Sequence, residues 1–351
     1  VMRDNAAIEA WCDRLALPYI YASAGAVAAF VTPHEIVYKS FGRIDAASPH
    51  PPDERTLYEI GSITKVFTSI LLAKLARDGR IELDCPVASR LPEFTGLPGW
   101  ITPRALATHT SGLPRIPIRL WKLPFVSTED PYAAFAGEHL VAWMGRYRPS
   151  RAPKPGTVRY SNLGVGLLGY VLGRVAGPGY GQALHNEVLG PLGLQDTRIQ
   201  LDDEYRRRLA TPHYGRGIVT PPWNFDALAG AGALRSTAAD LARFCRAVMA
   251  ACNAGGSLNA AISDTLEVQV PADTPFLPSQ CLGWIKLPVE KGPAFYHHDG
   301  GTRGSASTLF VSPEAEAAIL VLANHALDFR ATLKQIKSDP VGLMGEIGLA
   351  G

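Results

Sequence analysis

The alternation of apolar and polar positions divides the chain into two kinds of segment. Continuous apolar runs lie near both ends. Gly25–Val31 and Glu35–Phe41 read as two strands joined by Thr32-Pro33-His34. Toward the C-terminus Cys281–Leu287, Ala294–His298, Ser305–Val311 and Ala317–Ala323 read as four more. Their turns carry Lys291-Gly292-Pro293, Gly300-Gly301 and Ser312-Pro313. Short strands with tight turns predict an antiparallel meander. Between the ends the period changes to that of helices. Ser62–Asp78 is apolar nearly all round and stops at Gly79, which predicts a central buried helix. Thr237-Ala-Ala-Asp240 resembles a capping box before Leu241–Ala251, and Leu163–Val175 and Tyr180–Val188 are further helices. If the terminal strands share one sheet, the middle is an inserted helical lobe. The expected units are a sheet domain of 1–80 plus 255–351 and a mainly helical lobe of 81–254, with a site in the cleft between them.

The helix at Ser62 carries the first chemical signal. Ser62 and Lys65 stand three apart and share a helix face. A lysine one turn into a buried helix is costly without a partner; desolvation lowers its pKa and lets it take a proton from the serine hydroxyl. The helix N-terminus favours negative charge beside Ser62. The bland alternative is a helix-start serine with a snorkelling lysine. A second signal is Tyr160-Ser161-Asn162, after a Pro/Gly loop and before a helical run. A tyrosine near an ammonium can have a depressed pKa and shuttle protons, and an asparagine two residues on offers a donor and an acceptor to a substrate amide. A third is His297-His298-Asp299-Gly300-Gly301-Thr302-Arg303-Gly304 at a strand end, where glycines permit close approach and an exposed N–H can face an oxyanion.

In the order Ser-x-x-Lys, Tyr-x-Asn, His-x-Gly, these motifs resemble the penicillin-recognising serine hydrolases: class C β-lactamases, D-Ala-D-Ala carboxypeptidase/endopeptidases and related esterases. The resemblance runs from about Ala22 to Asn324, with support from Tyr58-Glu59-Ile60-Gly61, Leu106–Pro114, Pro191–Leu194 and Gly230–Thr237. It implies an α+β fold, an antiparallel β-sheet flanked by helices with an inserted all-helical lobe. It implies that Ser62 becomes acylated, that Lys65 and Tyr160 share the proton traffic, and that Asn162 holds the substrate amide. His298, Gly300, Gly301 and Arg303 complete the substrate contacts, with the N–H groups of Gly301 and Ser62 as the oxyanion hole. It also implies a periplasmic location, a small-molecule or peptidoglycan-peptide substrate, and neither cofactor nor metal.

The third motif departs from the Lys-Thr-Gly of class C β-lactamases. His298 replaces a fixed cation, and Asp299 would repel a substrate carboxylate if its side chain faces the cleft; Arg303 would restore an anion contact if its loop folds inward. Three readings stay open: an amidase on β-lactams or stem peptides, an esterase suggested by His298 and the aromatic Trp121, Trp223 and Phe225, and a sensor that is acylated without turnover.

Composition narrows the classes further. In 351 residues, 34 basic against 32 acidic side chains give a net charge of +2, which offers no field for nucleic acid. No apolar run is long enough to cross a bilayer as a helix. The chain starts at Val1 without an export signal, as a mature or trimmed product would, and a monomer is expected. Five widely spaced cysteines exclude a disulfide framework; Cys245 and Cys252, seven apart, are expected to share a helix face as buried thiols. Gly164–Gly169 fits G-x-G-x-x-G but lacks a preceding strand, so close helix packing is its expected role. Adjacent strand residues point to opposite faces, so His297, His298 and Asp299 alone make a poor metal site; His298 with a distant His109 stays open.

Overall fold

In a computed structural model of the chain, the described residues are 25–45, 50–117, 127–215, 217–274, 277–287 and 293–325. Cys12, Trp121 and the turn residues Lys291 and Gly292 lie outside them. Eight strands form one sheet: β1 (Gly25–Val31), β2 (Ile36–Gly42), β3 (Val268–Val270), β4 (Ser279–Cys281), β5 (Ile285–Lys286), β6 (Tyr296–Gly301), β7 (Ala306–Ser312) and β8 (Ala317–Ala323). Their order is β2-β1-β8-β7-β6-β5-β4-β3, with all pairs antiparallel. The first and last strands of the described residues pair, β1 with β8, with Ala28 opposite Val321. Every residue of β1, β7 and β8 is buried, which is why β1 and β8 read as unbroken apolar runs rather than alternating ones; β7 also buries Ser307, Thr308 and Ser312.

The expected strand Cys281–Leu287 is two strands, β4 and β5. Gly283 turns between them at φ +74°, and Cys281 N–H donates to Trp284 O at 2.9 Å to close the hairpin. The apolar run persists because Leu282 and Trp284 are core residues although they lie in a turn.

Four helices matter for the site: α1 (Thr64–Arg77), α2 (Asn162–Ala176), α3 (Ala238–Ala250) and α4 (Ser257–Leu266). Helix α1 lies between α2 and α4 and is buried from Thr64 through Ala73. A 3-10 turn, Gly61–Ile63, precedes it and carries Ser62. Helix α3 packs on β1 and β8. Thr237 caps it by accepting from Asp240 N–H at 3.1 Å, but the Asp240 carboxylate turns to Asp196 N–H and Thr197 Oγ1, both at 2.8 Å. The expected helix over Tyr180–Val188 is α-helical only to Leu184 and continues as a π turn, His185–Leu189. Cys245 is buried, whereas Cys252 lies past the end of α3 and is exposed, so the two thiols do not share a helix face.

The glycines of α2 serve contact. A Cβ on Gly166 would lie 2.4 Å from Leu228 Cδ2, and one on Gly169 would lie 2.8 Å from Gly230 Cα. The G-x-G-x-x-G spacing is thus the footprint of a chain segment pressed against a helix.

Candidate active site

The site forms where two stretches of chain meet at one hydroxyl and a third, β6, lies against the turn that carries it. Lys65 Nζ lies 2.8 Å from Ser62 Oγ and donates to Ala231 O at 2.6 Å. Tyr160 O–H donates to Ser62 Oγ at 2.8 Å. Lys65 is 1% exposed. Burial, and second the positive charge of Arg115, hold its amine well below the ordinary lysine range. Such an arrangement favours the uncharged amine, which can accept a proton while an N–H stays on the Ala231 carbonyl.

Tyr160 differs from the expectation. Burial is the largest influence on it and pushes the phenol up to about 12, against the lowering effects of Ser62 and Arg115. It is therefore a neutral phenol at neutral pH that can donate a proton. Arg115 lies 5.2 Å from the Tyr160 ring centroid and Lys65 Nζ 4.9 Å from it. His109, at φ +61°, packs its ring 4.5 Å from that of Tyr160 and accepts from Ser161 N–H at 3.2 Å. Burial, then Lys65, lowers His109 to about 3, so it is a neutral acceptor that fixes the Tyr160 loop.

Helix α2 is capped by Ser161, whose hydroxyl accepts from Gly164 N–H at 2.8 Å and donates to Pro114 O at 2.6 Å. Asn162 is thereby released from capping. Its Nδ2 donates to Tyr132 O–H at 3.1 Å, while its buried Oδ1 has no hydrogen-bond partner among the described residues. A buried acceptor without a partner is costly, and a substrate N–H would satisfy it.

Strand β6 forms the opposite wall. Thr302 N–H donates to Ser305 O at 3.0 Å across the β6–β7 turn. Alternation along an antiparallel ladder then directs Gly301 N–H away from β7, toward the open edge. The Gly61 backbone, at φ +46°, abuts this edge: a Cβ there would lie 2.5 Å from Gly301 N. Gly300 has no room for a side chain, since its Cβ would lie 1.9 Å from Ile60 O. Its role is to let β6 close on the Ser62 turn.

His298 is buried beside this wall and donates through Nδ1 to Asp299 O at 2.6 Å. Burial, then Lys65, pushes it down to about 3, so it is neutral. Arg303 does not lie along that wall. Its guanidinium sits 4.9 Å over the Tyr214 ring, and Nη1 donates to Thr128 O at 3.5 Å.

Glu59, to which the sequence pattern assigns no role of its own, ties the site together. Its buried carboxylate accepts from Trp223 N–H at 2.6 Å, Thr302 Oγ1 at 2.9 Å and Ser305 Oγ at 3.3 Å. Burial raises its pKa and the nearby Arg235 guanidinium opposes that rise. Trp223 and Phe225 join Tyr132 in an aromatic cluster, with the Tyr132 and Phe225 rings stacked 4.7 Å apart. No group of three or more His, Cys, Asp or Glu suited to a metal ion gathers among the described residues.

The profile of the Beta-lactamase family matches residues 16–336. The chain belongs to the Beta-lactamase family. Its D-alanyl-D-alanine-carboxypeptidase/endopeptidase relative AmpH from Escherichia coli (strain K12) is 27% identical over 339 residues, covering 90% of this chain and 83% of that protein. A beta-lactamase from Providencia stuartii is 28% identical over 304 residues, covering 78% and 75%. Among solved structures, a class C beta-lactamase from Rhodobacter sphaeroides superposes with a TM-score of 0.78 at 24% identity, over 96% of this chain and 99% of that one. A beta-lactamase/D-alanine carboxypeptidase from Pseudomonas syringae gives 0.79 at 20%, over 95% and 97%. These two likenesses establish the fold. As a member of this family the protein is a serine hydrolase. No helix among the described residues is long and apolar enough to cross a membrane.

Proposed function

We propose that the protein hydrolyses amides of the β-lactam or D-Ala-D-Ala peptide kind through an acyl-enzyme at Ser62. The observation that carries this reading is the pair of 2.8 Å contacts from Lys65 Nζ and Tyr160 Oη to one hydroxyl oxygen. Ser62 Oγ attacks the acyl carbon and its proton passes to the neutral Lys65 amine. Ser62 N–H and Gly301 N–H receive the oxyanion. Tyr160 protonates the departing nitrogen and regains a proton from Lys65, so one proton moves in net from serine to leaving group. Water then repeats the sequence on the acyl-enzyme and releases the acid. The unpartnered Asn162 Oδ1 accepts the acyl side-chain amide N–H.

A second reading, ester hydrolysis on the same machinery, is favoured by His298, which carries no charge where a carboxylate-binding cation is expected. The chain is read as two lobes with the site between them, and as a periplasmic protein on the strength of its carboxypeptidase and beta-lactamase relatives.

Intact-mass measurement after mixing with a penicillin, a D-Ala-D-Ala peptide and a phenylacetyl ester tests the reading. An adduct or turnover that vanishes in Ser62→Ala is expected. Absence of both with all three compounds would sink it.

A further inference from the structure

Arg115 stands on the Tyr160 side of the cleft, and its backbone is fixed there. Its carbonyl accepts from Asn162 N–H at 2.8 Å and Leu163 N–H at 3.2 Å, and the preceding Pro114 O accepts from the capping Ser161 hydroxyl at 2.6 Å. The start of α2 thus holds the residue beside the site. Its guanidinium Cζ lies 5.2 Å from the Tyr160 ring centroid, and Lys65 Nζ is 4.9 Å from the same centroid. The positive charge reaches the cleft: it favours the less positive form of Lys65, His109, Tyr132 and Tyr160.

Arg115 is exposed, and among the described residues its guanidinium contacts the Tyr160 ring and forms no ion pair. Its sequence neighbourhood is cationic: from Leu113 to Thr128 the chain holds Arg115, Arg119 and Lys122 and no acidic residue. The other basic side chains around the site are committed. Arg235 donates to Ile199 O at 2.7 Å and Asn224 Oδ1 at 3.3 Å, Arg303 is engaged with Tyr214 and Thr128, and His298 is neutral. Arg115 keeps its donors, and the planar fork of a guanidinium matches a carboxylate with two parallel hydrogen bonds. The leaving group sets where such a carboxylate lies. In the proposed reaction Tyr160 protonates the departing atom, which comes within about 3 Å of Tyr160 Oη. A carboxyl carbon one carbon beyond that atom is about 2.5 Å farther on, by the N–Cα and Cα–C bond lengths. An exposed arginine over the Tyr160 ring covers that distance by side-chain rotation.

We infer that Arg115 recognises a carboxylate on the leaving group, supplying from the Tyr160 wall the cation that β6 lacks at His298. This rests on the acyl-serine reading above and narrows its substrates. Preferred substrates are amides or esters whose departing amine or alcohol carries a carboxylate on the adjacent carbon; esters of plain alcohols forgo the contact.

The test uses three depsipeptides with an ester at the scissile bond: acetyl-D-alanyl-D-lactate, its D-lactamide counterpart, and succinyl-D-alanyl-D-lactamide, which carries its carboxylate on the acyl side. Each rate is divided by that ester's hydroxide-catalysed rate. For the wild type, kcat/KM should favour the lactate over the lactamide by about tenfold, the scale of one hydrogen-bonded contact to a charged group. Arg115→Met should bring that ratio within about threefold. The substitution also moves Lys65 and Tyr160, but all three esters share that effect, so the ratio isolates the contact with the carboxylate. Arg115→Lys keeps the charge without the fork and should give an intermediate ratio. On the unaltered enzyme, raising salt from about 0.05 to about 0.5 M should narrow the ratio, because screening acts on the charge alone. Equal wild-type rates for lactate and lactamide, an Arg115→Met loss that is the same for all three esters, or a loss confined to the succinyl ester would overturn the inference and leave the acyl-serine reading standing. No turnover and no Ser62 adduct with any ester would remove both.

Discussion

At the scale of single residues the site depends on two pKa values moved apart. Lys65 is lowered by burial and by Arg115, and Tyr160 is raised to about 12 by burial. In the proposed mechanism acylation needs the amine neutral and the phenol protonated. The rate therefore climbs with pH as Lys65 loses its proton and falls only when Tyr160 ionises. Arg115 lowers both groups, so Arg115→Met raises both, and the acidic limb of the kcat/KM profile moves to higher pH together with the alkaline limb. A profile whose acidic limb stays in place would show that another group sets it. Lys65→Ala removes the proposed base itself and should cost about 10²- to 10⁴-fold in kcat/KM, with binding of substrate less affected.

At the scale of elements, the β6 edge and the turn before α1 must touch, and glycine permits it. Gly300→Ala would put a Cβ 1.9 Å from Ile60 O and 2.3 Å from Ser307 Oγ. Backbone is in the way, so β6 has to withdraw from the turn. The expected result is a stability loss of about 3 kcal/mol and a fall in kcat/KM of about 100-fold, since a 1 Å misplacement of the oxyanion donor is enough for that. Gly79→Ala is the control. Gly79 has φ +69° with no atom near its missing Cβ, so it should cost only about 1 kcal/mol and leave kcat/KM alone. Equal effects of the two substitutions in a denaturation and kinetic comparison would refute the argument.

The same contrast explains what could be read from the residues alone. Strands β1 and β8 were legible because burial on both faces leaves one continuous apolar signal. The Ser62–Lys65 contact was legible because a three-residue helical spacing fixes it. The β4–β5 hairpin was not, since its turn residues Leu282 and Trp284 are themselves core. The direction of the Tyr160 shift was missed because it depends on how much protein covers the phenol, which no local pattern records. Arg115 and Glu59 act across the fold, through Tyr160 and through Thr302 and Trp223, and nothing in their own neighbourhoods announces those partners.

At the scale of the molecule, one hydrophobic core runs from the sheet through α1 into the helices between the sheet segments. It includes Val27 and Leu320 of the sheet, Phe67 and Leu71 of α1, and Leu167 and Leu172 of α2. Phe67 is a junction in that core. Its ring lies 4.4 Å from Phe244 on α3, and Phe244 in turn stacks on Trp284 at 6.2 Å. Because this core is continuous, the strands and the helices are expected to unfold together, although they come from distant parts of the chain. Phe67→Ala should therefore lower global stability by about 3–5 kcal/mol through the cavity it leaves. The diagnostic is where the loss is felt. Native-state hydrogen exchange of the slowest amides in β1 and in α2 should report the same opening free energy, and both should fall by the same amount in the variant. If α2 alone lost protection while β1 kept it, the helical part would be a separate cooperative unit. Ser62 and Lys65, on the element joining the two, would then sit at a hinge rather than within a single rigid body.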